Sequence, residues 1–233
     1  MTTSVELPAL VVSQDRAPIA LRSDDILLRW VLPEIFHEMP VNVQDDDTAV
    51  QLLEELADKA LPGADYDEKT KFAVMCALAV GDLPAVGVEY AAVCLTVSDE
   101  IPCIATFFVS LMNSPEAVGA TTLVKEISSG LRLAKMGDVS VIELPCGAAV
   151  ACIGNRDAEI SGELLDGEEG VTLPTSYIQV YVPLPNETTV LMEISTPTMP
   201  GWEVFSTMFG NIVSSIRLFK ADGSPLITSS EGV

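Results

Sequence analysis

Near neutral pH, proton transfer and metal ligation fall most often to histidine, and this 233-residue chain has one, His37. Any Ser-His-Asp or Cys-His nucleophile, and any multi-histidine zinc site, would have to pass through it. It stands beside Glu38 and just before Pro40, and no G-x-S-x-G elbow occurs in the chain. His37 therefore reads as a surface or hydrogen-bonded structural histidine. Asp65 and Asp67 have the spacing that opens a calcium loop, but Thr70 holds the glycine position and Cys76 the bidentate glutamate position. Asp45-Asp46-Asp47 and the six acids from Asp157 to Glu169 offer carboxylates to a cation. A helix start explains the first group and a solvated acidic loop the second. Walker A and G-x-G-x-x-G loops are absent, so nucleotide binding has no support.

The five cysteines are Cys76, Cys94, Cys103, Cys146 and Cys152. Their number is odd, no C-x-x-C or zinc spacing links them, and each lies in an apolar segment, so they read as buried free thiols. Cys94 and Cys103 flank one turn and are the pair placed to approach each other. These residues call for no cofactor, no metal and no catalytic centre, and the chain is expected not to be an enzyme.

Thirty-four acidic residues against 12 basic ones give a net charge of -22. That balance argues against nucleic acid, whose phosphates need clustered Lys and Arg, and against anionic membrane surfaces. Its simplest role is solubility. The longest apolar run, Phe72 to Val80, is too short to span a bilayer, and no basic-then-apolar leader opens the sequence. The expectation is a soluble, cytoplasmic chain with no direct insertion into a membrane.

Positioning elements follow from periodicity. Carboxylates at Asp45–Asp47 start a helix with inner face Val50, Leu53, Leu56, Ala57 and Ala60. A second helix follows Asp65-Tyr66-Asp67-Glu68; its body, Phe72 to Val80, is apolar all round, so it is internal or faces a partner. Alternating runs from Val88 to Thr96 and Cys103 to Met112 make a hairpin. A helix opened by Ser114-Pro115-Glu116 is expected to stop near Ser128-Ser129-Gly130. Leu133–Leu144 and Ala148–Ile153 form another hairpin, and a long acidic loop covers 157–169. Tyr177 to Leu184 alternates as a half-buried strand, Pro185-Asn186-Glu187 turns, and Val190, Met192 and Ile194 continue on its partner. From Trp202 the spacing of Phe205, Phe209, Ile212 and Ile216 predicts one long helix to Phe219, laid across the sheet.

Trp202 and Met208 are residue types enriched at binding hot spots. Covering the sheet accounts for Trp202, Phe205 and Phe209, whereas Met208 is read as lying off the stripe and exposed. The candidate partner-binding surface comprises Phe72, Met75, Trp202, Met208, and Asp166, Glu168 and Glu169 of the acidic loop.

Val182-Pro183-Leu184-Pro185, Ile194-Ser195-Thr196-Pro197 and the Trp202-to-Phe219 segment resemble the ending of a group of uncharacterised actinobacterial proteins with a PsbP-like fold. The resemblance is specific over about the last 45 residues and topological over 31–155. It implies an antiparallel sheet with helices on its faces. Relatives of that fold include photosystem extrinsic subunits, a Ran-binding import factor and chaperones for secreted effectors, which are mostly binding modules. The expectation is an α+β protein: an antiparallel sheet of about six strands, helices packed on its faces, and a C-terminal helix covering it. Residues 1–23 are read as a loosely attached arm with room for one short strand, 24–220 as a single domain and 221–233 as a disordered tail. The function expected is a non-catalytic protein-binding module, either an adaptor, a chaperone or a subunit of an assembly, with a protein partner or self-association. The alternative is a small-molecule or lipid-binding domain with a pocket between sheet and helices, and after that an enzyme without a recognisable motif.

Overall fold

A computed structural model describes residues 18–81, 83–113, 119–160 and 170–226. The order of elements is β1 (Ile19–Ser23), β2 (Ile26–Trp30), β3 (Phe36–Met39), α1 (Asp46–Ala60), α2 (Tyr66–Gly81), β4 (Val88–Ser98), β5 (Ile101–Asn113), α3 (Ala120–Leu133), β6 (Asp138–Leu144), β7 (Gly147–Ile160), β8 (Val171–Pro183), β9 (Thr188–Thr196), α4 (Trp202–Ser214) and β10 (Arg217–Lys220). The architecture is α+β. A seven-stranded antiparallel sheet runs β3-β4-β5-β9-β8-β7-β6, and β1-β2-β10 form a smaller antiparallel sheet.

The period of two sorts each central strand between two faces. On β8, Ile178, Val180 and Val182 join the main core, and on β9 Val190, Met192 and Ile194 join them. Phe107 sits at the centre, edge-on to Phe36, Tyr90 and Phe209. This face is covered by α4 and by the small sheet, through Phe205, Phe209, Leu28 and Trp30. The opposite face carries α1 and α2 at the β3-β4-β5 end, over Val88, Ala91, Val93 and Phe108. It carries α3 at the other end, over Val150 and Tyr181. No helix among the described residues is long and apolar enough to cross a membrane.

Several boundaries differ from the sequence reading. Ile19–Ser23 is the short strand allowed for in the arm, and it is paired with β2 rather than loosely attached. The last helix ends at Ser214; after Ser215 the chain straightens into β10, where Leu218 pairs with Leu28. Ile216 is buried but lies beyond the helix, so cross-strand pairing captured the last turn of the expected stripe. Strand β8 is buried on both faces from Thr175 onward, because its polar face lies beneath α3 and a hydrogen-bonded network. The hairpin of β7 and β8 continues to Ile160 and Val171, taking in Asp157 to Ile160 of the expected acidic loop. Residues 161–169 of that loop lie outside the described residues. Helix α3 runs on to Leu133, since Leu131 still packs toward the sheet. The segment proposed to open it, 114–118, lies outside the described residues.

Candidate partner-binding surface on the helix pair

The acidic helix starts are caps. Asp45 accepts hydrogen bonds from the Thr48 hydroxyl and, at 2.9 Å, from the Thr48 amide, and these bonds hold its carboxyl below the ordinary 3.8. Asp65 and Glu68 form a capping box: Asp65 accepts from the Glu68 amide at 2.9 Å, and Glu68 accepts from the Asp65 amide at 3.1 Å. Asp65 thus serves helix α2 as a cap, with no part in a calcium loop.

The two helices pack side by side with Leu53, Leu56, Ala57, Phe72 and Cys76 against the sheet. Their other side is unusually apolar. Tyr66 is 82% exposed, Met75 59%, Val74 52% and Leu78 48%. Between the helices runs a groove of about 360 Å³, lined by Val50, Ala57, Tyr66, Ala73, Val74 and Ala77 among others. The helix pair is acidic, with nine carboxylates and three lysines from Asp45 to Gly81, and Glu54, Asp58 and Lys69 line the groove itself. Each lysine pairs with a carboxylate, Lys59 with Glu55 at 3.5 Å, Lys69 with Asp58 at 2.8 Å and Lys71 with Asp67 at 2.7 Å. The surface therefore combines apolar anchors' sockets with surplus negative charge. A second cleft, of about 440 Å³, lies on the far side of α1 against β3 and is lined by His37, Glu38, Val41, Leu52, Glu55 and Lys59 among others.

The residues singled out from the sequence do not form one surface. Met75 is on the exposed side of α2. Phe72 is not: it is 8% exposed and points at the sheet, one turn from Cys76. Met208 is a correction as well, being 1% exposed. It lies three residues after Phe205 and four before Ile212, which is the spacing of one helix face, so it belongs to the stripe. Trp202 is half-buried against the main core, on the opposite side of the sheet from α1 and α2. Asp166, Glu168 and Glu169 lie outside the described residues. Tyr66 and Val50, which line the groove, complete the exposed apolar area. The signal for it was the all-round apolarity of Phe72 to Val80: a helix covered on one side and apolar on the other leaves that second side to water or to a partner.

A polar network on the α3 side of the sheet was not legible beforehand. Arg156 grips the buried Glu193 carboxylate with both terminal nitrogens, one at 3.1 Å. Gln179 donates to Glu193 at 2.7 Å, and Tyr181 donates to Gln179 at 2.8 Å. Arg156 also lies over the Tyr177 ring, 5.2 Å from its centre. Burial pushes the Tyr181 hydroxyl up to about 12, which keeps it protonated. The network is closed on itself and reads as structural.

The thiols are equally unreactive. All five cysteines are free and buried. Burial raises Cys76 and Cys94 to about 12 and Cys146 to about 11, and raises Cys152 with help from the Asp138 charge. Cys94 and Cys103 face the same core from neighbouring strands. Among the described residues, no group of three or more His, Cys, Asp or Glu converges on a point that could hold a metal ion. Compared with known proteins, the chain matches no family model and no curated sequence.

Proposed function

We propose that this chain is a non-catalytic protein-binding module whose α1–α2 face takes an amphipathic helical segment with apolar anchors and basic flanks. The observation that carries the reading is the exposed row Val74, Met75 and Leu78 beside an apolar groove whose lining lysine, Lys69, is paired with Asp58, on a helix pair with a surplus of carboxylates. Contiguous apolar patches on a charged protein mark interaction sites, and a helix laid in a groove is a recurrent mode of recognition. The acid surplus selects basic flanks and disfavours acidic competitors. Five free thiols favour a reducing compartment, so the partner is sought in the cytoplasm. The PsbP-like resemblance points the same way, since relatives of that fold are mostly binding modules, but it is an analogy of fold.

The test is affinity capture with the wild type and a Val74→Glu/Met75→Glu/Leu78→Glu variant from the native lysate. The expected result is one stoichiometric partner recovered by the wild type and lost by the variant. Equal recovery by both would refute the assignment of this face. A second reading, small-molecule binding, has one observation in its favour, the 440 Å³ cleft between β3 and α1. It predicts that Leu52→Trp, which narrows the cleft, abolishes the thermal shift given by a bound compound.

A further inference from the structure

Strand β6 ends the seven-stranded sheet, and among the described residues it pairs with β7 alone. A seven-residue terminal strand with an exposed valine is the kind of edge that folded proteins normally cover or blunt. The register says which backbone groups are open. Leu144 faces Gly147 across a two-residue turn, so Leu144, Ile142 and Ser140 make the bonds to β7. Val139, Val141 and Glu143 turn their amides and carbonyls outward. In agreement, Arg132 on α3 reaches round the edge and donates to the Val139 carbonyl at 3.0 Å.

We propose that this edge pairs with the β6 edge of a second copy, antiparallel and about a twofold axis through Val141, joining the two seven-stranded sheets into one. Three features of the strand favour this occupant over a foreign strand. With Val141 opposite its own copy, Val139 falls opposite Glu143, so every outward-turned residue meets another and the hydrogen-bonding parity matches. The side chains of Val139, Val141 and Glu143 share the α3 face, because they pair with Cys152, Val150 and Ala148. Val141, 50% exposed, would therefore be covered by its own copy. The same register sets Glu143 of one copy beside Arg132 of the other, on the α3 face, twice per dimer. A like-charged chain of net charge -22 gains an opposite-charge contact at this edge. No acid stands directly opposite another acid, since Asp138 meets Leu144.

The inference is independent of the α1–α2 reading. Sedimentation equilibrium of the purified full chain over a wide concentration range gives twice the chain mass for the wild type. Val141→Lys sets two lysines against each other at the axis and is expected to weaken association at least tenfold. Arg132→Glu is expected to do the same, and Arg132→Glu with Glu143→Arg to restore it. Far-UV circular dichroism checks that each variant is folded; should Val141→Lys fail to fold, the exposed pair Arg132 and Glu143 decides alone. Amide exchange at Val141 and Glu143 should slow as protein concentration rises. A monomeric wild type at every concentration, or a dimer indifferent to Arg132→Glu, would overturn the proposal.

Discussion

Replacing Arg156 by alanine removes the one cation that, among the described residues, is bonded to the Glu193 carboxylate, which is buried at the centre of the sheet. Breaking a fully buried ion pair from one side costs about 3–5 kcal/mol, because the remaining charge is left uncompensated. Here the arginine side chain is 44% exposed, so water enters where it stood, and Gln179 still donates to the carboxylate. Those two facts roughly halve the expected cost, to about 2 kcal/mol. Loss of the contact with the Tyr177 ring adds about 0.5 kcal/mol. For a chain of this length the total corresponds to a fall in Tm of about 5–10 °C. The assay is urea unfolding of both proteins, with Arg156→Ala/Glu193→Leu as the control that removes both charges. A loss below about 0.5 kcal/mol would contradict an uncompensated charge at Glu193.

Other outcomes separate folding from binding. Met75→Glu on the exposed side of α2 should change stability by less than about 0.5 kcal/mol, whereas Phe72→Ala, three residues earlier and buried, should cost about 3 kcal/mol in the same unfolding assay. Gly154→Ala should destabilise by about 2 kcal/mol or more, because the new methyl carbon would overlap the Met136 carbonyl and come within 2.6 Å of the Tyr177 hydroxyl. Native protein at pH 8 should resist iodoacetamide at all five cysteines, and mass spectrometry should find all five modified once urea is added. The Asp45 cap lowers that carboxyl from 3.8, so its support of α1 is fully present above pH 3.8 and fades as pH falls through the lowered value. The Tm gap between the wild type and Asp45→Ala should accordingly be wide at pH 7 and narrow at pH 2.5.

Period-two alternation and helical spacing were strong enough to reveal most of the elements, since each depends on local burial. The hairpins at Val88–Met112 and Tyr177–Ile194 and the helices at Asp45 and Tyr66 stand where their patterns put them. The α+β class follows from them. What escaped the sequence depends on partners distant in the chain. Ile216 fits a helical stripe as well as a strand, and only the pairing of β10 with β2 decides between them. Arg156, Gln179 and Glu193 come from three strands, and no spacing links them. Met208 is buried because a helix face takes the neighbour at the three-residue step as well as one residue per turn. The helix pair was half legible: an all-round apolar helix was evident, but which side meets the sheet is fixed by how α1 lies beside it. Phe72 and Met75 fall on opposite sides for that reason.

The central claim is that the outer side of α2 docks a partner. Its most direct test is photo-crosslinking in intact cells that make the protein, with a benzophenone amino acid at Met75 and, as a control, at the similarly exposed Val97 at the end of β4. One dominant crosslinked protein is expected from position 75, carrying a basic amphipathic segment at the attachment point, and none from position 97. Identical products from the two positions, or no product from position 75, would contradict it.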